Sequence, residues 1–371
     1  MPDDSRQHRV AIVGAGGIAG GRHMPAIREQ GERTRVVAVV DVDEDRARAF
    51  AAEWGVEHSY ADLDAMLAAE RPHLAIVCTP PSAHHAGVRA CLRAGAWVWC
   101  EKPPVLSLAE YDGLAACERE GGPYVGYVFQ HRFGSAARTL REQIRTGTLG
   151  RPLVGVCHTL WYRDHAYYQV PWRGRWDTEG GGPTMGHGIH QMDLMLSLLG
   201  DWREVRALMD TLDRRVETED VSLAAVRFES GALVSVVNSV LSPREVSYLR
   251  FDFTDATVEV SHLYGYDNSH WTWTPRSGVA AEQATAWLPA TDVRSGHAAQ
   301  LASFLDSMDR GERPEVSGAD GRISLELITG LYQSAITGRP VLRSELAPDN
   351  PFYDRLDGGG RYAPTTTEVA R

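Results

Sequence analysis

The chain has 371 residues, 43% of them hydrophobic and 23% charged, with a formal charge of -11 at neutral pH. That length exceeds one ordinary hydrophobic core and points to two domains. No apolar run approaches the ~20 residues a membrane helix needs, and the acidity argues against a nucleic-acid surface, so neither partner is expected.

The first third alternates β-branched runs with helical stretches. HRVAIVGAG, TRVVAVVDVD, LAIVCTP, AWVWCEKP and PYVGYVFQ read as strands, while EDRARAFAAEWG and SAHHAGVRACLRAG read as helices that close on glycine. This pattern predicts an α/β fold, a Rossmann-type doubly wound parallel sheet over residues 7–129. In its first turn Gly14, Gly16 and Ala19 spell GxGxxA, with Gly17 and Ile18 inside the motif. Small residues there permit a tight turn, close approach of a pyrophosphate and helix-to-strand packing. Asp41 ends the second strand, where a carboxylate accepts bonds from the ribose hydroxyls of NAD and repels the extra phosphate of NADP. Its alternative reading is a strand-end turn residue. Thr79, Pro80 and His84 follow the next run at the carboxyl edge of the sheet, where such folds bind ligands; His84 equally suits an exposed helix start. NAD is the expected cofactor.

After SAARTLREQIRTGTLG the rhythm changes to long alternating strands, RPLVGVCHTLWY, DVSLAAVRFESGALVSVVNSVL and SYLRFDFTDATVEVSHLYGY. They predict a second α/β domain over 130–350 with a large, mostly antiparallel open sheet, two later helices, and a surface tail over 351–371. Before those later strands stands EGGGPTMGHGIHQMD. If residues 187–199 are helical, apolar side chains lie almost all round the helix, so it is buried and its polar start faces a cleft. His187, His190 and Asp193 then share one stripe, roughly 120° wide. HxxHxxD also contains zinc ligand types. The five cysteines, Cys78, Cys91, Cys100, Cys117 and Cys157, lack ligand spacing, so no metal and no disulfide framework are expected. His190 also reads as a satisfied core histidine. In WYRDHAYYQVPWRGRW, Tyr162, Arg163 and Trp176 are candidates to stack on and bond a sugar, beside the alternative of strand or interface packing. The opening MPDDSRQHRV lacks a signal peptide's apolar stretch, and the expected location is a reducing cytoplasm.

Among 38 basic residues one is a lysine, Lys102. Arginine cannot give up its proton, so a lone lysine points to a proton that must move, beside the alternative that one lysine survived by chance. Lys102 stands in WCEKPP, and here the chain resembles the Gfo/Idh/MocA oxidoreductases, whose EKP motif is matched by Glu101, Lys102 and Pro103. VAIVGAGGIAGGRHMPAI, GTLGRP, EGGGPTMGHGIHQMDLMLSLLG and FLDSMDRGERPEVSGADGRISLELITGLYQSAITGRPV match further blocks in the same order. The resemblance implies NAD(P)-linked oxidation or reduction of a sugar, cyclitol or nucleotide sugar, with a second-domain sheet that carries substrate and often a homo-oligomer interface, here of a dimer or tetramer. It places a histidine at His190 and an acid at Asp193, and Glu101 with the cofactor face. The chain departs from the pattern at Gly186, where several relatives carry an aspartate. Acid–base chemistry is therefore expected on Lys102 and His190, with Asp193 in support, orienting the group or binding another hydroxyl, and His187 on the substrate side. Burial lowers the amine toward neutrality so that it takes the hydroxyl proton, and a helix N-terminus keeps the imidazole neutral. Two other uses of the same parts are transient oxidation by tightly held NAD in elimination or glycoside cleavage, and a non-catalytic NAD or sugar sensor.

Overall fold

The computed structural model describes residues 7–360 and 362–364. Its first stretch runs β1 (His8–Val13), α1 (Met24–Glu29), β2 (Thr34–Val40), α2 (Glu44–Trp54), β3 (His58–Tyr60), α3 (Leu63–Glu70), β4 (Leu74–Val77), α4 (His84–Arg93), β5 (Trp97–Cys100), α5 (Leu108–Ala115) and β6 (Val125–Tyr127). Then come α6 (Ser135–Thr146), β7 (Pro152–Tyr162), α7 (Ile189–Leu199), β8 (Trp202–Asp210), β9 (Val221–Phe228), β10 (Leu233–Ser239), β11 (Leu241–Phe253), β12 (Ala256–His262) and β13 (Trp271–Pro275). The last are α8 (Ala281–Thr285), α9 (His297–Arg310), α10 (Gly318–Thr337), β14 (Val341–Leu342) and α11 (Pro351–Asp354). No helix among the described residues is long and apolar enough to cross a membrane.

Two compact units form. The first comprises the described residues up to Val105, Glu110–Val128 and His297–Gly321; the second comprises Leu106–Ala109, Phe129–Gly296 and the described residues from Arg322. The first unit holds a six-stranded sheet of order β3-β2-β1-β4-β5-β6, parallel throughout. Its central strands are short runs of Val, Ala, Ile and Leu buried on both faces, as helix-covered parallel strands must be. The strand order reverses between β1 and β4, so the turns after these two strands flank the crevice where doubly wound sheets bind ligands.

One helix departs from the expected division. α9 lies in the span assigned to the second domain, yet Leu301, Phe304 and Leu305 share the buried cluster of Val10, Ile12, Ile76 and Trp99. An added Cβ on Gly126 of β6 would stand 2.7 Å from Phe304. Helical periodicity shows that a helix has an apolar face but not which core receives it.

In the second unit an eight-stranded sheet runs β13-β12-β11-β7-β10-β9-β8-β14. β7 and β10 are parallel and the other pairs antiparallel. One face buries Val205, Val226, Val234, Leu249 and Phe251, and α7 packs against β7 and β11. Val154, Leu208, Leu223 and Leu233 are exposed on the sheet strands. The described part of the expected tail is packed. Phe352 and Leu356 are buried, and the hydroxyls of Tyr362 and Thr211 lie 2.8 Å apart. Arg361 and residues 365–371, also part of the expected tail, lie outside the described residues.

Candidate active site

In the first unit the dinucleotide turn is built by exclusion. Gly14 has φ +96°, and a Cβ there would meet the Cys78 carbonyl carbon and Thr79 N at 3.0 Å, so no other residue fits without strain. Its N–H donates to Val40 O at 2.8 Å, tying β1 to β2. Gly16 and Gly17 would meet nothing within 4 Å of an added Cβ, while Ala19 is buried as a packing residue and Ile18 is exposed. Asp41 is buried at the end of β2: Oδ2 accepts from Ala15 N at 2.9 Å and Oδ1 from Asp43 N at 3.0 Å, with Arg46 Nη1 3.3 Å away. An open glycine pair beside a carboxylate held at the neighbouring strand end fits NAD, with room for the pyrophosphate at Gly16 and Gly17 and an acceptor for the ribose at Asp41. Asp41 is thus also a clamp on the turn itself.

Thr79 and Pro80 follow β4, and Thr79 Oγ1 is buried with no partner among the described residues. His84 opens α4 but is neither exposed nor a ligand-facing group: Nδ1 lies 2.9 Å from Pro103 O and Nε2 2.9 Å from Thr79 O. Its imidazole braces the turn after β4 against the turn after β5, and burial pulls its pKa down. Lys102 is half-buried just past β5. Glu101 was expected on the cofactor face; its carboxylate instead turns inward, with Oε1 2.7 Å from His23 Nε2 and 3.4 Å from His297 Nε2, and Oε2 accepting from Lys102 N at 3.2 Å. These three side chains are the one group among the described residues with metal-ligand types converging in this way, whereas His187, His190 and Asp193 do not form one. Neither His23 nor His297 was singled out from sequence.

In the second unit the glycine-rich loop answers to the chain, not to a ligand. An added Cβ on Gly182 would overlap the main-chain carbonyl of Glu219. The Glu219 carboxylate, raised in pKa by burial, accepts from Gly182 N at 2.9 Å, Thr184 N at 3.0 Å and Tyr332 Oη at 3.0 Å. The chain then makes a π turn over Thr184–Gly188 before α7 begins. That wider turn breaks the single stripe expected of His187, His190 and Asp193. His187 packs edge-on to Trp161 at 5.1 Å, its Nε2 3.4 Å from Tyr167 Oη. His190 is 3% exposed and faces His131 at 5.4 Å and Tyr264 at 5.5 Å. Trp161 and Tyr264 are themselves 6.2 Å apart, so the two histidines line one continuous wall of aromatic rings and imidazoles.

Asp193 points into a buried ion pair, not to an open hydroxyl-binding position. It accepts from Arg132 Nε at 2.6 Å and Nη2 at 2.5 Å and from Ser324 Oγ at 2.9 Å. Beside Gly186, the space a side chain would fill holds another residue's carboxylate: Glu179 Oε1 is 3.4 Å from the position of a Cβ. Arg163 pairs with Glu245 at 3.0 Å and lies over Trp161 at 5.0 Å, which keeps it near the wall; Tyr162 is exposed beneath the Arg214 guanidinium. Trp176 is the clear departure: its ring sits between Tyr332 at 5.1 Å and Tyr362 at 5.6 Å and its Nε1 donates to Glu217 O, so it anchors the chain end. His131, Arg132, Trp161, Tyr167 and Tyr264 were missed. An aromatic near the end of β7 carries the same signal as strand packing, and HRF, just past the strand read at PYVGYVFQ, carries no motif.

Residues 8–129 match the profile of an oxidoreductase family with an NAD-binding Rossmann fold, and residues 137–278 match the GFO/IDH/MocA C-terminal domain. Inositol 2-dehydrogenase 1 of Saccharopolyspora erythraea is 32% identical, over 93% of this chain and 98% of that protein. D-apiose dehydrogenase of Paraburkholderia graminis is 27% identical, over 95% of this chain and 94% of that protein. The crystal structure of the WlbA dehydrogenase from Bordetella pertussis, in complex with NADH and UDP-GlcNAcA, is 26% identical and superposes with a TM-score of 0.82, covering 92% of this chain and 99% of that one.

Proposed function

Because the chain belongs to the Gfo/Idh/MocA family of NAD-dependent oxidoreductases acting on CH–OH groups, we propose that its substrate is a sugar, cyclitol or nucleotide sugar, with Lys102 and His190 as the acid–base pair. The observation that carries this reading is the position of the chain's one lysine, half-buried directly after β5 in a sheet whose β1 turn is built for a dinucleotide. NAD supplies the acceptor for the hydrogen leaving the alcohol carbon and, reduced, its donor.

The chain's own residues do the rest. Lys102 takes the hydroxyl proton in the oxidising direction and polarises the carbonyl in the reverse; an arginine there could do only the second. His190, enclosed by His131 and Tyr264, positions the hydroxyl and shares its proton. Trp161 and Tyr167 flank His187 at the wall's other end, where Arg163 lies over the Trp161 ring and Arg173 over the Tyr167 ring, two guanidiniums suited to bonding a sugar's oxygens. Asp193, paired with Arg132, holds the helix that carries His190. The exposed leucines and valine of the second sheet are the surface through which a dimer or tetramer forms. A panel of sugars, inositols and nucleotide sugars offered with NAD is expected to give reduced nicotinamide with at least one member. Turnover that needs no added NAD and leaves none reduced would replace this reading with transient oxidation.

A further inference from the structure

Three segments distant in sequence meet at one carboxylate in the first unit. His23 comes from the turn into α1, four residues beyond Ala19 of the dinucleotide motif; Glu101 comes from the end of β5; His297 is the first residue of α9. All three are buried, with exposures of 0%, 6% and 7%. A carboxylate can only accept, so both imidazoles present Nε2–H to Oε1. His23 Nδ1 is then a bare nitrogen, and it has no partner among the described residues. A second ring proton would sit there as a buried donor without an acceptor. The same nitrogen argues against a metal: ligation through Nε2 moves the ring proton to Nδ1, where a metal-bound histidine ordinarily finds an acceptor and this one does not. The ring is fixed edge-on between Trp99 at 4.9 Å and His297 at 5.1 Å.

Burial alone would push Glu101 up, but the hydrogen bonds from His23 and His297 hold it well below the usual carboxylate range. The other titratable groups around it are His84 and the thiols of Cys78 and Cys100, both raised by burial and so protonated. The second oxygen accepts from the amide of Lys102 itself. One end of the carboxylate thus holds two helices and the other holds the main chain on which the amine stands.

We propose that Glu101, locked by His23 and His297, is the positioning residue for Lys102, coupling the amine's placement to the helix that leaves the dinucleotide turn and to α9. The proposal rests on the reading of Lys102 as the acid–base group.

Because the chain contains one lysine, labelling with lysine carrying 15N at Nζ gives a single side-chain signal in the full protein, independent of any substrate. Glu101→Gln keeps the shape and removes the charge. The Lys102 signal is expected to titrate at lower pH in this variant, since the buried negative charge bonded to the lysine's own amide is gone. His297→Leu is expected to move it the same way by a smaller amount, and His297→Gln, which keeps an N–H donor, to leave it near wild type. With the sugar that reduces NAD best in the panel, Glu101→Gln should lower kcat about tenfold to a hundredfold, the cost of a misplaced group, while KM for the sugar and Kd for NAD change less than about threefold. A Lys102 signal that titrates as in wild type in both Glu101→Gln and His297→Leu, or an unchanged kcat in whichever of them folds, overturns the positioning role. One equivalent of transition metal that survives chelation in wild type and is lost in Glu101→Gln also overturns it. Full turnover in Lys102→Met instead removes the acid–base reading and leaves the titration to judge the geometry.

Discussion

Each unit buries a carboxylate next to its candidate acid–base residue, and the two are compensated in opposite ways. Asp193 is matched by Arg132, whose guanidinium keeps its charge at every pH the protein meets. Glu101 is matched by two imidazoles and a main-chain N–H. Imidazoles change charge between about pH 5 and 8. The second unit therefore holds α7 with a fixed ion pair, while the first holds its lysine-bearing turn in part through His23, whose pKa burial lowers.

The comparison breaks first at Arg132. Removing it as Arg132→Met leaves Asp193 charged and buried, and the second unit should lose about 3–5 kcal/mol, read from the denaturant midpoint; a midpoint near wild type would mean that the pair does not hold α7. Next is Lys102→Arg, which keeps charge and length and loses the transferable proton: turnover should fall roughly a hundredfold or more with folding unchanged.

The third test separates the two networks by pH. Burial lowers the pKa of His23 from its ordinary 6.5, so the unfolded chain binds its proton more readily, and the stability this contributes is lost as pH falls through about 6.5. Glu101, held below its ordinary value of 4.5, contributes stability that is present above that value and lost as pH falls further. Melting temperature should therefore drop between pH 7.5 and 5.5 (values chosen to bracket about 6.5) in wild type and drop less in His23→Gln; equal drops would remove His23 from the account. The smallest effect is on cofactor choice. Asp41→Ser removes the ribose acceptor and leaves Arg46, now 3.3 Å from Asp41, facing the same place. Relative use of NADP should rise roughly tenfold, the scale of one charged hydrogen bond; an unchanged ratio of kcat/KM for the two cofactors would show that Asp41 is only a clamp.

What could be read from the sequence was whatever is written within one turn of chain. Gly14, Gly16 and Ala19 follow β1 and Asp41 follows β2, so the spacing that marks them also sets them at the ends of two neighbouring strands. His23 and His297 carried no such mark, because the contact that joins them to Glu101 spans 78 residues on one side and 196 on the other. Asp193 was expected to orient a neighbour or bind a hydroxyl because its partner Arg132 stands 61 residues upstream, in a short 3-10 turn too brief to show periodicity. The stripe through His187 failed for a local reason instead: a π turn cannot be told from the first turn of an α-helix by spacing alone. Trp176 misled because a ring that stacks on a sugar and a ring that wedges between two tyrosines look alike in composition.

The position of α9 has a consequence for how the protein is made. A ribosome finishes every strand from β1 to β13 before Leu301, Phe304 and Leu305 emerge to complete the cluster around Ile12 and Trp99. Until then the nascent amino-terminal sheet exposes apolar surface, the condition that recruits chaperones and invites aggregation during synthesis.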